Sequence, residues 1–112
     1  MKTLLMLAFV LMQLGTSSAQ TGTEMLPSCR HFVASDANAG TFTGGFCAGV
    51  VTGIAFVVNS LPSGARSCFP RGVSTIQMVR SLVTFMEANP GRLQDDFRLL
   101  IIEAFRQTWP CS

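Results

Sequence analysis

The sequence has no tyrosine, a single lysine, a single histidine and a single tryptophan, and charged residues make up only 12% of it. Its formal net charge is +2 at pH 7, one unit of which is Lys2 near the N-terminus. So weak a balance excludes the basic stripe of a nucleic-acid binder and the polybasic patch of a protein held to anionic membranes. With only His31 available and no C-x-x-C pair, the close ligand sets of a structural zinc site are missing. There is no P-loop and no H-E-x-x-H, and the glycines at 45, 49 and 53 have neither the G-x-G-x-x-G spacing nor a preceding strand. A serine or cysteine nucleophile needs a base within reach, and His31 stands alone, close to a cysteine expected to be oxidised. Glu87 with the Asp95-Asp96 pair offers carboxylates, but at helix ends and exposed positions that capping explains. The sequence therefore predicts no enzyme, no cofactor and no metal.

What is present begins with a leader. Lys2 precedes an almost unbroken apolar stretch from Leu4 to Leu14, Gly15 interrupts it, and Ser17-Ser18-Ala19 has the small-x-small form of a signal-peptidase site. The apolar run is shorter than the roughly 20 residues a membrane-spanning helix requires. Residues 1–19 are read as a cleaved signal peptide, leaving 20–112 as one domain of modest core.

All four cysteines, Cys29, Cys47, Cys68 and Cys111, fall in that domain. An even number behind an export signal reads as a disulfide framework, whose three possible pairings the sequence leaves open.

Residues 20–26 are polar and are expected to fray, with a short helix over Pro27 to Ala34 turning Cys29, Phe32 and Val33 inward. Asp36, Asn38 and Gly40 mark a loop. Gly44 to Asn59 is apolar and over a dozen residues long, which favours a helix over a buried strand. Its strongly apolar part, Phe46 to Val58, fits a core helix better than a membrane span. Gly45, Gly49 and Gly53 line one face, where another helix could approach closely, within a subunit or between two. A loop runs from Leu61 to Arg71. Ser74-Thr75-Ile76-Gln77 is a capping box, with Val73 and Met78 placed for a hydrophobic staple. Ile76, Val79, Leu82, Val83, Phe85 and Met86 then form one apolar face, opposite Arg80, Thr84 and Glu87. Asn89-Pro90 is expected to cap and start the last helix at once. Its buried side is Leu93, Phe97, Leu100, Ile101, Ala104 and Phe105, ending near Trp109-Pro110. Trp109 and the phenylalanines sit at stripe positions expected to be core. No hairpin chemistry appears. The fold class is all-α, a small disulfide-braced bundle of about four helices.

Five motifs occur in order: Phe46-Cys47-x-Gly49-x-x-x-Gly53, Ser67-Cys68-Phe69-Pro70, Gly72-Val73-Ser74-x-x-Gln77, Phe85-Met86-x-x-Asn89-Pro90 and Trp109-Pro110-Cys111. Together, from about Cys29 to Cys111, they resemble the Rap/Tai immunity-protein family, whose members are small exported helical proteins protecting bacteria from peptidoglycan amidase effectors of the type VI secretion system. The resemblance implies a periplasmic, non-catalytic protein, commonly a homodimer, that binds an amidase and obstructs its active-site cleft with a loop. Leu61 to Arg71 is the candidate loop, with Arg66 and Arg71 as candidate partner-binding residues. The chain departs from the family pattern at Val50, where an aromatic residue is usual. The alternative is a small periplasmic stress protein, a helical chaperone activated by acid, although six acids make a sparse switch.

Overall fold

The structure, a computed structural model, describes residue 3 and residues 20–34 and 42–112. The expected signal peptide and the loop at Asp36, Asn38 and Gly40 lie outside the described residues. Residues 20–112 as described contain four α-helices: α1 (Gly22–Ala34), α2 (Phe42–Val57), α3 (Thr75–Ala88) and α4 (Phe97–Thr108). Short 3-10 turns follow α2 at Val58–Ser60 and α3 at Pro90–Arg92. No strand occurs among the described residues, as the all-α expectation requires.

Each helix contributes a stripe to one core. Met25, Leu26 and Cys29 come from α1, Cys47 and Val51 from α2, Val79, Leu82, Val83, Phe85 and Met86 from α3, and Phe97, Leu100, Ile101, Ala104 and Phe105 from α4. In α3 the expected face is the buried one, and Arg80, Thr84 and Glu87 are exposed. The capping box is formed: Gln77 N–H donates to Ser74 Oγ at 3.2 Å, and Ser74 N–H donates to Gln77 Oε1 at 2.8 Å.

Two helix starts differ from the sequence expectation for one shared reason. α1 begins at Gly22, not Pro27, and carries Pro27 inside it. The segment expected to fray is held by backbone pairing to the stretch before α4: Phe97 N–H donates to the Gln20 carbonyl at 2.8 Å, Gly22 N–H to that of Asp95 at 3.2 Å, and Thr23 N–H to that of Leu93 at 2.9 Å. That pairing also delays α4, which starts at Phe97 behind Asp96 as N-cap. Asn89 makes no N-cap bond; its side-chain amide donates back to the Phe85 carbonyl at 2.8 Å and closes α3 instead. Gly22 lies in the tight corner of this junction, where an added Cβ would come within 2.5 Å of Leu100 Cδ1 and 3.2 Å of the Leu93 carbonyl oxygen.

The cysteines pair as Cys29–Cys47 and Cys68–Cys111, with Cα separations of 5.3 and 5.0 Å. The first is fully buried and staples α1 to α2. The second joins the α2–α3 connection to the C-terminus, with both cysteines exposed. Closing loops of 18 and 43 residues restricts the unfolded chain by about 3 and about 4 kcal/mol in the chain-entropy account.

α2 corrects the sequence reading most. Its inward side is Gly44, Cys47, Val51 and, just beyond it, Val58. Gly49 and Gly53 face outward, with nothing within 4 Å of a Cβ built on either. At Gly49 and Gly53 the glycine face therefore receives no helix from among the described residues. Phe42 and Phe56, expected in the core, are 87% and 89% exposed, and Phe46 is 39% exposed. Burying Cys47 and Val51 forces this result, because residues three and four apart share a helix face and the opposite register must point away.

Candidate partner-binding site

Residues 61–74 connect α2 to α3 without a helix or strand; at about 14 residues this is a length that compact domains reserve mainly for functional loops. Its first half is an arch. Leu61 N–H donates to the Val58 carbonyl at 3.3 Å, Ala65 N–H closes a turn on the Pro62 carbonyl at 2.8 Å, and Arg66 Nε donates to the Leu61 carbonyl at 3.4 Å. Pro62, Ser63, Gly64 and Arg66 are exposed.

The second half is an anchor. Ser67 is completely buried. Cys68 N–H donates to the Trp109 carbonyl at 2.9 Å, beside its disulfide to Cys111. Phe69 meets Phe105 edge-on at 5.0 Å between centroids and Trp109 at 4.9 Å. This triad holds the half-buried Trp109 against the body, so Trp109 is structural, as expected. Gly72 then adopts φ +83°, left-handed backbone that a residue with a Cβ rarely tolerates, and delivers the chain to the Ser74 cap. The loop is thus an ordered exposed arch on a fixed base, with Arg66 and Arg71 exposed on either side of the buried Ser67. Ordering before binding reduces the entropy lost on association.

The residues screened for catalysis are not assembled. His31 is exposed in the last turn of α1. Glu87 accepts from Arg30 Nε at 2.9 Å, tying α3 to α1. Asp95 accepts from Arg92, which also holds Glu103. Asp96 accepts from Arg98 N–H at 2.9 Å and pairs with its guanidinium at 2.6 Å, which lowers its carboxyl to about 2. Arg92 likewise draws the Glu103 carboxyl below its ordinary value, chiefly through a hydrogen bond. Among the described residues no cluster of three or more histidine, cysteine or acidic side chains could hold a metal ion.

A family model described as Rap1a immunity proteins matches residues 21–111, ending on the last cysteine. The chain belongs to this family. Neither a curated protein nor a solved structure matches it. Membership in the Rap1a immunity family implies an effector protein as partner and is generally associated with non-enzymatic proteins. Both disulfides fall inside the matched span, and Val50, where the family pattern usually has an aromatic, is half-buried against the core. Sequence reasoning missed the outward phenylalanines of α2. Their signal was the spacing Phe42, Phe46, Gly49, Gly53, Phe56, a repeat of four and three complementary to that of the buried residues.

Proposed function

We propose that the protein acts in the periplasm, where it binds a peptidoglycan amidase effector of the type VI secretion system and blocks its substrate cleft with the arch of residues 61–66. The observation that carries this reading is the family match across the whole described domain. The braced loop supports it further: an exposed segment held in one conformation by a disulfide and an aromatic triad can enter a cleft and remain there. Arg66 and Arg71 supply positive charge and directed donors at the foot of the arch, and arginine is among the residues that dominate binding energy at interfaces. Homodimerisation, common in the family, belongs to the same proposal.

The experiment is binding of the purified protein to candidate type VI amidase effectors, by calorimetry. Wild type should bind stoichiometrically. Arg66→Glu and Arg71→Glu should each weaken binding by roughly 30-fold or more, the loss of about 2 kcal/mol typical of a hot-spot arginine, with unchanged circular dichroism. An amidase that ignores the wild-type protein would overturn the reading. The rival, an acid-activated chaperone, has the exposed phenylalanines of α2 in its favour. Four of the chain's six carboxylates, Glu87, Asp95, Asp96 and Glu103, are already paired with arginines. Client protection that appears only at low pH would favour the rival.

A further inference from the structure

Helices α3 and α4 meet along a groove that neither the core nor the arch uses. Its first part is a hollow of about 380 Å³ lined by Gln77, Arg80, Thr84 and Phe85 of α3 and by Gln107 and Thr108 of α4. Its second part, of about 340 Å³, is bounded by Asn89, Arg92, Glu103 and Arg106. Phe85 and Gln107 line both, so the two hollows are continuous, and the buried ring of Phe85 makes their common floor.

Charge in the groove is one-sided. Three arginines line it against a single carboxylate, in a chain whose formal net charge is only +2. That carboxylate, Glu103, is already held by Arg92, which Asp95 engages as well. Arg80 and Arg106 are exposed and form no ion pair among the described residues; the acid nearest Arg106 along α4 is Glu103, one turn earlier. Between the two free guanidinium groups stand uncommitted polar atoms. Gln77 gives its Oε1 to the Ser74 cap and keeps its amide N–H groups, and the side chains of Thr84 and Gln107 have no partner among the described residues.

We infer that this groove binds an extended acidic peptide segment of a partner protein, with two carboxylates four residues apart, one meeting Arg80 and the other Arg106. The spacing comes from helix geometry. From Arg80 to Ala88 the axis of α3 rises about 12 Å, a length that an extended chain covers in about four residues of roughly 3.3 Å each. Side chains four apart in an extended segment point the same way, so both carboxylates can face the groove, and the residue midway between them turns onto Phe85. Each guanidinium fork can take a carboxylate through two parallel hydrogen bonds. The free amides and hydroxyl in between suit the carbonyl and N–H groups of a peptide backbone. Other occupants fit less well. A phosphate polymer calls for cations along its whole length, and here they stand at the two ends. A glycan calls for an open ring to stack on, whereas Phe85 is only 7% exposed.

The groove's role depends on neither the arch nor the identity of the effector. The probe is the blocked heptapeptide GETLTEG, titrated into isotope-labelled full-length mature protein and followed by amide chemical shifts at about 50 mM salt, where surface charges are weakly screened. Saturable shifts confined to residues 77–89 and 103–108 are expected. The isomer GTELETG, with its glutamates two apart, and the uncharged GQTLTQG should each bind at least about fivefold more weakly, as should GETLTEG at about 500 mM salt. Arg80→Glu and Arg106→Glu, both on exposed positions and checked for helicity by circular dichroism, should each weaken GETLTEG about tenfold, since reversal replaces attraction by repulsion at one end. Absence of saturable shifts, shifts centred elsewhere, equal binding of the isomer, or affinity unchanged in both variants would overturn the inference. Saturable shifts in the groove with tetra-N-acetylchitotetraose and none with GETLTEG would assign it to a glycan and overturn it as well.

Discussion

Asp96 does two jobs with one carboxylate, capping α4 at Arg98 N–H and pairing with the Arg98 guanidinium. Asp96→Ala should cost about 1 kcal/mol of stability, the usual worth of an N-cap, measured by urea denaturation at neutral pH. Because its folded carboxyl is lowered to about 2, chiefly by the Arg98 side-chain hydrogen bond, the stabilisation is complete above the ordinary carboxylate range. It is lost as pH falls from about 4 toward 2. The variant's stability curve should accordingly be flatter over that acidic window, and a parallel curve would contradict the assignment. Ser67 makes the opposite case: its buried Oγ has no hydrogen-bond partner among the described residues. Ser67→Ala should therefore hold or raise stability, by up to about 1 kcal/mol, since an unsatisfied buried hydroxyl is a net cost. Gly22 has no such latitude, and Gly22→Ala should destabilise by about 1–3 kcal/mol as Leu100 and the Leu93 backbone are pushed aside. A wild-type denaturation midpoint for Gly22→Ala would show that the junction yields.

At the scale of elements, the legible parts were those whose information is local. Helix α3 states its own start in Ser74 and Gln77 and its own face in Val79, Leu82, Val83 and Met86. The starts of α1 and α4 could not be read this way, because each is set by pairing between residues 20–23 and 93–97, some seventy positions away. Asn89-Pro90 looks like a helix start and serves as a helix end because that pairing claims the next turn. For α2 the obstacle was composition. A segment apolar on every side identifies a helix and says little about which face is inside, so its exposed phenylalanines were assigned to the core. The candidate loop was visible as a break between patterns. Its rigidity was not, since that depends on Cys68 choosing Cys111 among three possible pairings. The two disulfides should differ in reactivity for the same structural reason. Dithiothreitol on the folded protein should open the exposed Cys68–Cys111 bridge first, leaving the buried Cys29–Cys47 bridge closed until the helices separate. Alkylation and mass mapping would read the order, and simultaneous reduction would contradict it.

For the molecule as a whole, two surfaces follow from how the core is built. One is the arch of residues 61–66, fixed at Ser67, Cys68 and Phe69 against α4 and the C-terminus. The other is the outward apolar face of α2, left outside because Cys47 and Val51 occupy the inside. The bundle thus presents an exposed loop on one surface and an uncharged apolar helix face on another. The most direct test of the proposed occlusion is a titration of a candidate type VI amidase effector, acting on isolated peptidoglycan, with the wild-type protein and with a Pro62→Gly/Arg66→Ala/Arg71→Ala variant whose helicity is intact. Wild type should abolish hydrolysis at one subunit per enzyme, and the variant should leave most of the activity at the same ratio; equal inhibition by both, or none by wild type, would contradict occlusion by the loop.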